Sequence, residues 1–152
     1  GAIKWLRTQL LPLDSCPHRR IFLSRQDAAR RRLLNEGKII NRLKPHGFEV
    51  VVPSSLSVAD QIEVFSQAEI VVGPMGSGFA NMVFASSQAK MIEIHSPHWA
   101  PGFYRSLAWM MGQQHGQVIG FTRGPSEDPM QDYLVNPGDV ESLVLEKLAE
   151  KK

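Results

Sequence analysis

A short, unbroken apolar run, Ile70-Val71-Val72, leads straight into Gly73-Pro74-Met75-Gly76-Ser77-Gly78 and then into a helix-period segment through Phe79, Met82, Val83 and Phe84. A strand with no polar alternation has to be covered on both faces, which is the condition of a strand in a parallel sheet. The same punctuation recurs along the chain. Ile21-Phe22-Leu23, residues 48–52 and Met91-Ile92-Glu93-Ile94 are further strand candidates, and residues 117–121 make a fifth. Between them lie helix-period segments at residues 36–44, with Ile39, Ile40 and Leu43 on one face, and behind Ser57, which has Asp60 three residues later as an N-cap partner. A helix over residues 104–111 and a closing one over residues 139–151 complete the pattern. Strand and helix alternating every 20 to 30 residues predict an α/β fold: a Rossmann-like parallel sheet of about five strands with helices on both faces, in three layers. Residues 122–137, rich in Pro, Gly and Asp, read as a long loop.

In such a sheet, ligands bind outside the carboxyl ends of the strands. Ser24-Arg25 after the first strand, Gly73 to Gly78 after the third and His95-Ser96 after the fourth therefore share one edge. Three glycines in six residues, between a buried strand and a helix, let the backbone approach an anion. Gly76, Ser77 and Gly78 are the candidate cradle. A geometric turn that needs glycine only for its shape is the competing reading. The loop is no dinucleotide fingerprint, since Asn81 stands where the third glycine belongs, and no G-x-x-x-x-G-K-[ST] sequence exists. Arg25 could clamp a diphosphate or make a surface ion pair. Arg32, Asn35 and Glu36 follow near the next helix start. Glu93, an acid inside an apolar strand, needs either a hydroxyl-bearing ligand or a salt bridge. His95 and His98 lack partners at metal-ligand spacing, so they read as ordinary loop histidines.

Composition sets the outer bounds. Of 152 residues, 43% are hydrophobic and 21% charged, ordinary for one globular domain. Residues 1–20 read as an amino-terminal helical extension with Ile3, Leu6 and Leu10 on one face, docking outside a domain that runs from residue 21 to 152. The opening Gly1-Ala2 suggests a fragment of a larger protein. The single Cys16 cannot form an internal bridge, and no apolar run reaches the roughly 20 residues of a membrane span. Net charge is only +2, yet Arg19, Arg20, Arg25, Arg30, Arg31 and Arg32 fall within fourteen residues. That cluster keeps open a non-catalytic nucleotide- or nucleic-acid-binding module, although no RNA-module motif or aromatic interleaving accompanies it.

Arg20-Ile21-Phe22-Leu23-Ser24-Arg25, then Arg32-Leu33-Leu34-Asn35-Glu36, resemble glycosyltransferase family 61, the capsular-polysaccharide and plant-xylosyltransferase-like group. So do Gly47-Phe48-Glu49, the Gln61-to-Phe65 helix, Ala68-Glu69-Ile70-Val71-Val72-Gly73 and the loop through Phe79-Ala80-Asn81, with Phe84 and Ile92-Glu93-Ile94 beyond. The likeness spans roughly residues 20–97. The family pattern around the loop is G-x-H-G-A-x-L-x-N; here Met75 replaces the histidine and Ser77 the alanine, while the glycines and Asn81 are kept. The resemblance implies the carboxyl-terminal half of a GT-B enzyme, holding a nucleotide-diphosphate sugar for transfer to an acceptor hydroxyl. Arg25 and the loop would contact the diphosphate and Glu93 the nucleoside. The glycan or protein acceptor would be held by an amino-terminal domain outside this chain, so the chain alone is expected to bind nucleotide weakly and turn over little. No cofactor, metal, nucleic acid or membrane segment is expected. The location implied is cytoplasmic for a bacterial source and Golgi or endoplasmic reticulum lumen for a eukaryotic one.

Overall fold

The apolar runs pair side by side. A computed structural model describes residues 1–11, 16–125 and 127–150. In it β1 (Arg19–Leu23), β2 (Phe48–Val51), β3 (Ala68–Pro74), β4 (Lys90–His95) and β5 (Gln114–Ile119) form one sheet in the order β2-β1-β3-β4-β5. Every neighbouring pair is parallel. Parallel pairs require crossovers, which are α2 (Glu36–Leu43), α3 (Val58–Ser66), a 3₁₀ helix (Ser77–Phe84) and α4 (Phe103–Met111). Helix α1 (Ala2–Leu10) precedes the sheet and α5 (Pro137–Ala149) follows it.

Successive strand residues point to opposite faces, and both faces are covered. On one, Phe22, Ile70, Val72, Ile92 and Ile94 pack with Ile39 and Leu43 of α2 and Val140 and Val144 of α5. On the other, Ile21, Leu23, Val71 and Met91 pack with Phe65 of α3, Phe79 and Met82 of the 3₁₀ helix and Ala108 of α4. This is the three-layer, Rossmann-like α/β architecture that the run pattern predicts. Local signals set the element ends. Gly47 takes φ 79° behind the 3₁₀ turn Lys44–His46, a conformation that favours glycine. The Ser57 hydroxyl accepts from the Asp60 amide at 3.1 Å to start α3. Asn136 caps α5, with Pro137 at its first position.

Most expected elements hold to within one or two residues, and the larger departures are these. β5 covers Gln114–Ile119 rather than residues 117–121, pairing Lys90↔Gln114 through His95↔Ile119. It lies at the sheet edge and is only partly covered, so Gln114, His115 and Gly116 are admissible there and no apolar run marks its start. Phe121 instead bridges Leu134 across the following turn. Residues 122–137 are not all surface loop, because Tyr133 and Val135 are buried in the core and Tyr133 pairs with Leu33. Gly73 and Pro74 belong to β3, so the loop proper begins at Met75. α5 runs Pro137–Ala149, starting two residues before the expected residue 139 and followed by an extended Glu150, and the expected end at Lys151 lies outside the described residues. In α1, Ile3, Leu6 and Leu10 stay 40%, 37% and 42% exposed. The helix is tethered instead by Arg7, which donates to the Ala85 and Val83 carbonyls at 2.7 and 3.2 Å. Among the described residues no helix is long and apolar enough to cross a membrane.

Candidate functional site

The strand order reverses between β1 and β3, so the chain leaves these two strand ends in opposite directions and opens a crevice between them. A cleft of about 250 Å³ occupies that place, with Arg25, Ser54, Gly76, Ser77 and Gly78 on its walls. A larger hollow of about 900 Å³ lies under α1, lined by Ile3, Arg7, Phe84 and Met110 among others. It borders Ser66 and Ser86, which precede β3 and β4. It therefore sits at the amino ends of the strands, away from the carboxyl edge where α/β sheets hold ligands.

Close backbone approach builds the crevice. A Cβ on Gly73 would lie 2.3 Å from the Leu23 carbonyl oxygen, so β1 and β3 can converge there only around glycine. The Met75 amide then bonds the Ile94 carbonyl at 2.9 Å, turning the chain toward β4. Arg25 reaches across this turn and its Nη1 donates to the Met75 carbonyl at 2.8 Å. Its side chain lies along Gly76, where a Cβ would meet Arg25 Nε at 2.6 Å and Cδ at 2.7 Å. Gly76 is therefore the space that Arg25 occupies. The 3₁₀ helix starts at Ser77, and the first N–H groups of a helix lack intrahelical partners.

Glu36, in the first turn of α2, accepts from the Ser24 hydroxyl and from the Arg25 amide at 3.4 Å. It thus fixes the backbone from which Arg25 projects and leaves the guanidinium to the loop. Asp27, on the cleft wall, accepts from the Ser54 hydroxyl at 2.6 Å and ties the β1 and β2 loops together. Neither Asp27 nor Ser54 carries a sequence signal beyond its place just after a strand.

The remaining candidates point elsewhere. Arg32 pairs with Asp132, Nη2 to Oδ2 at 2.6 Å, and Asp132 Oδ1 also accepts from the Arg32 amide at 2.8 Å. That pairing holds the Asp132 carboxyl below its usual range. Asn35 is matched to the Val135 backbone in both directions, at 2.7 and 3.2 Å. Asn81 lies a turn beyond the loop and donates to Gln61 at 2.8 Å and to the Gly78 carbonyl at 3.2 Å. Glu93 is 1% exposed on the α3–α4 face and lines none of the crevice. His115 Nε2 donates to its Oε1 at 2.8 Å, and His95 Nε2 stands 3.5 Å from Oε2. Among the described residues no three His, Cys, Asp or Glu side chains gather as a metal would require.

Glu93 makes a pH prediction. Burial alone would raise its carboxyl pKa, but the bonds and charge of His115 and His95 outweigh burial, and the group titrates below the ordinary carboxylate range. A folded pKa below the unfolded one stabilises the fold fully above the unfolded value, about 4.3. That contribution is lost as pH falls through the lower folded value. Melting temperature should therefore drop more steeply below pH ~4.3 in the wild-type chain than in Glu93→Gln. At neutral pH the variant should be less stable by about 1–3 kcal/mol, because the amide keeps one acceptor oxygen but loses the charge and the second oxygen that face the two histidines. Parallel melting curves from pH 7 to 3 would contradict this.

Comparison with known proteins bears on what such a site serves. No curated protein matches the sequence. The model of the family described as Glycosyltransferase 61 matches residues 3–92, more than half of the chain. The matched region runs from α1 through the Arg25 turn, Glu36 and the glycine loop into β4, and stops one residue before Glu93. Every residue that lines the β1–β3 crevice falls inside it, and the chain belongs to glycosyltransferase family 61.

Proposed function

We propose that the β1–β3 crevice holds the diphosphate of a nucleotide-diphosphate sugar, and that this chain is the donor-binding part of the transferase. The observation that carries it is the guanidinium of Arg25 laid along Gly76 beside the first turn of the 3₁₀ helix, at the switch point of a parallel sheet. A guanidinium and the first backbone N–H groups of a helix on the walls of one cleft suit an anion. In transfer, an acceptor hydroxyl oxygen bonds to the anomeric carbon as the bond to the diphosphate oxygen breaks. The hydroxyl proton passes to a general base, and the nucleoside diphosphate leaves carrying the released charge. Arg25 serves as leaving-group stabiliser, since a donor aimed at developing charge lowers the barrier. Positive side chains and backbone dipoles do this work without a metal. The base and the glycan or protein acceptor site belong to a part of the enzyme outside these residues, in the two-domain GT-B manner.

The nucleic-acid alternative loses its main support in the arginine cluster. Arg19 pairs with Glu49 at 2.5 Å, Arg20 with Glu69 at 3.0 Å and Arg32 with Asp132, so these three are neutralised rather than ranged as a phosphate track. Equilibrium binding separates the two. The donor-site proposal predicts saturable, millimolar-or-better binding of a nucleoside diphosphate and little of random single-stranded oligonucleotides. Oligonucleotide binding that falls steeply with salt would favour the alternative.

A further inference from the structure

We infer that Arg31 is the second half of a two-guanidinium clamp, closing with Arg25 on one phosphate of a bound diphosphate at the β4 side of the crevice. This rests on the donor-site proposal above and adds to it a residue that the loop geometry does not require. Of the six arginines between Arg19 and Arg32, three carry carboxylate partners and Arg30 is exposed. Arg25 and Arg31 instead line one narrow gap with Met75, Ser96, Trp99 and Tyr133, which includes no acid.

Three independent features set Arg31 apart. Its Nε and Nη1 are buried without a hydrogen-bond partner, a condition that is rare and destabilising for a charged group. Its guanidinium carbon rests 5.3 Å from the centre of the Trp99 ring, a cation–π contact that replaces only part of the lost hydration. Its backbone sits at φ 52°, the one positive φ at a non-glycine residue among those described. Such strain persists only where the surroundings impose it. Here the Arg31 amide bonds the Met130 carbonyl at 3.2 Å, and Tyr133 bonds both Arg32 and Leu34 backbones at 3.0 and 2.9 Å. The fold thus spends strain to bring a second guanidinium beside Arg25. Burial first, and then the charge of Arg25, lower the Arg31 pKa. An anion between the two groups relieves both penalties. The gap is about 10 Å³, room for roughly one water, so a phosphate enters as Trp99, 37% exposed, gives way.

The test compares wild type, Arg31→Gln and Arg31→Asn for binding of a nucleoside, its monophosphate and its diphosphate, alongside melting temperature. Asparagine tolerates positive φ well, so Arg31→Asn removes the guanidinium without adding backbone strain. Both variants should lose roughly tenfold or more in diphosphate affinity, collapsing the preference over the monophosphate. Nucleoside affinity should hold, and Arg31→Asn should melt no lower than wild type. Addition of diphosphate should change Trp99 fluorescence in wild type, read against Trp99→Phe. If wild type binds the diphosphate and both variants bind it equally well, the clamp is refuted while the donor site stands. If binding falls only in step with melting temperature, Arg31 is structural and the clamp is likewise refuted. If wild type binds no nucleotide, the donor site fails and takes the clamp with it.

Discussion

Replacing Arg25 by Ala should lower nucleoside diphosphate affinity by roughly 10- to 150-fold, the range expected for hydrogen bonds to a charged group worth about 1.5–3 kcal/mol. The fold should survive. Among the described residues the Arg25 side chain makes one hydrogen bond, to the Met75 carbonyl, and losing a bond of about 1 kcal/mol lowers the melting temperature by roughly 2–4 °C in a domain of this size. Arg25→Lys should recover only part of the affinity, because an ammonium cannot reproduce the planar fork. Gly76→Ala should mimic Arg25→Ala from the other side. Its Cβ would overlap Arg25 Nε and Cδ, which belong to a flexible side chain, so the guanidinium moves and the backbone stays. Titration calorimetry with the three variants checks this. Affinity unchanged in both Arg25→Ala and Gly76→Ala would remove Arg25 from the site.

Gly73→Ala should act on the fold instead. The new methyl would sit 2.3 Å from the Leu23 carbonyl oxygen and 2.9 Å from the Leu23 Cβ. Both atoms belong to the neighbouring strand and cannot swing aside as a side-chain tip can. Gly73 is paired with Glu93 on its other side, so β3 has no room to retreat. Overpacking of this kind destabilises by about 3 kcal/mol or more, a large share of the roughly 5–15 kcal/mol that holds a domain together. The melting temperature should fall by roughly 6–12 °C or more, measured by circular dichroism. A variant that melts with wild type would mean that β1 and β3 do not approach as described.

What was legible in the sequence follows from what each element needs. β3 and β4 are buried on both faces, so β3 carries the unbroken run Ile70-Val71-Val72, β4 an apolar run broken only by Glu93, and their positions are plain. β5 is an edge strand with intermittent cover, and nothing in Gln114-His115-Gly116 marks a strand before its partner β4 is known. Ser57 marks a helix start through local chemistry, which a sequence displays directly, whereas α5 starts at Pro137, inside the segment that reads as loop. The glycine loop and Arg25 could be placed on one edge because strand ends are local and parallelism is global. The partners of Arg32 and Asn35 could not, since Asp132 and Val135 lie about a hundred residues away. Arg31 was hidden inside a charge run, and only the structure separates it from its neutralised neighbours.

The central claim, that the β1–β3 crevice holds a nucleoside diphosphate, is tested most directly by amide chemical shifts during titration with a panel of nucleoside diphosphates. The expected result is saturable movement centred on Arg25 and on Met75 through Gly78 with at least one nucleotide at millimolar concentration. Shifts confined to the hollow under α1, or none in those amides with any nucleotide, would contradict it.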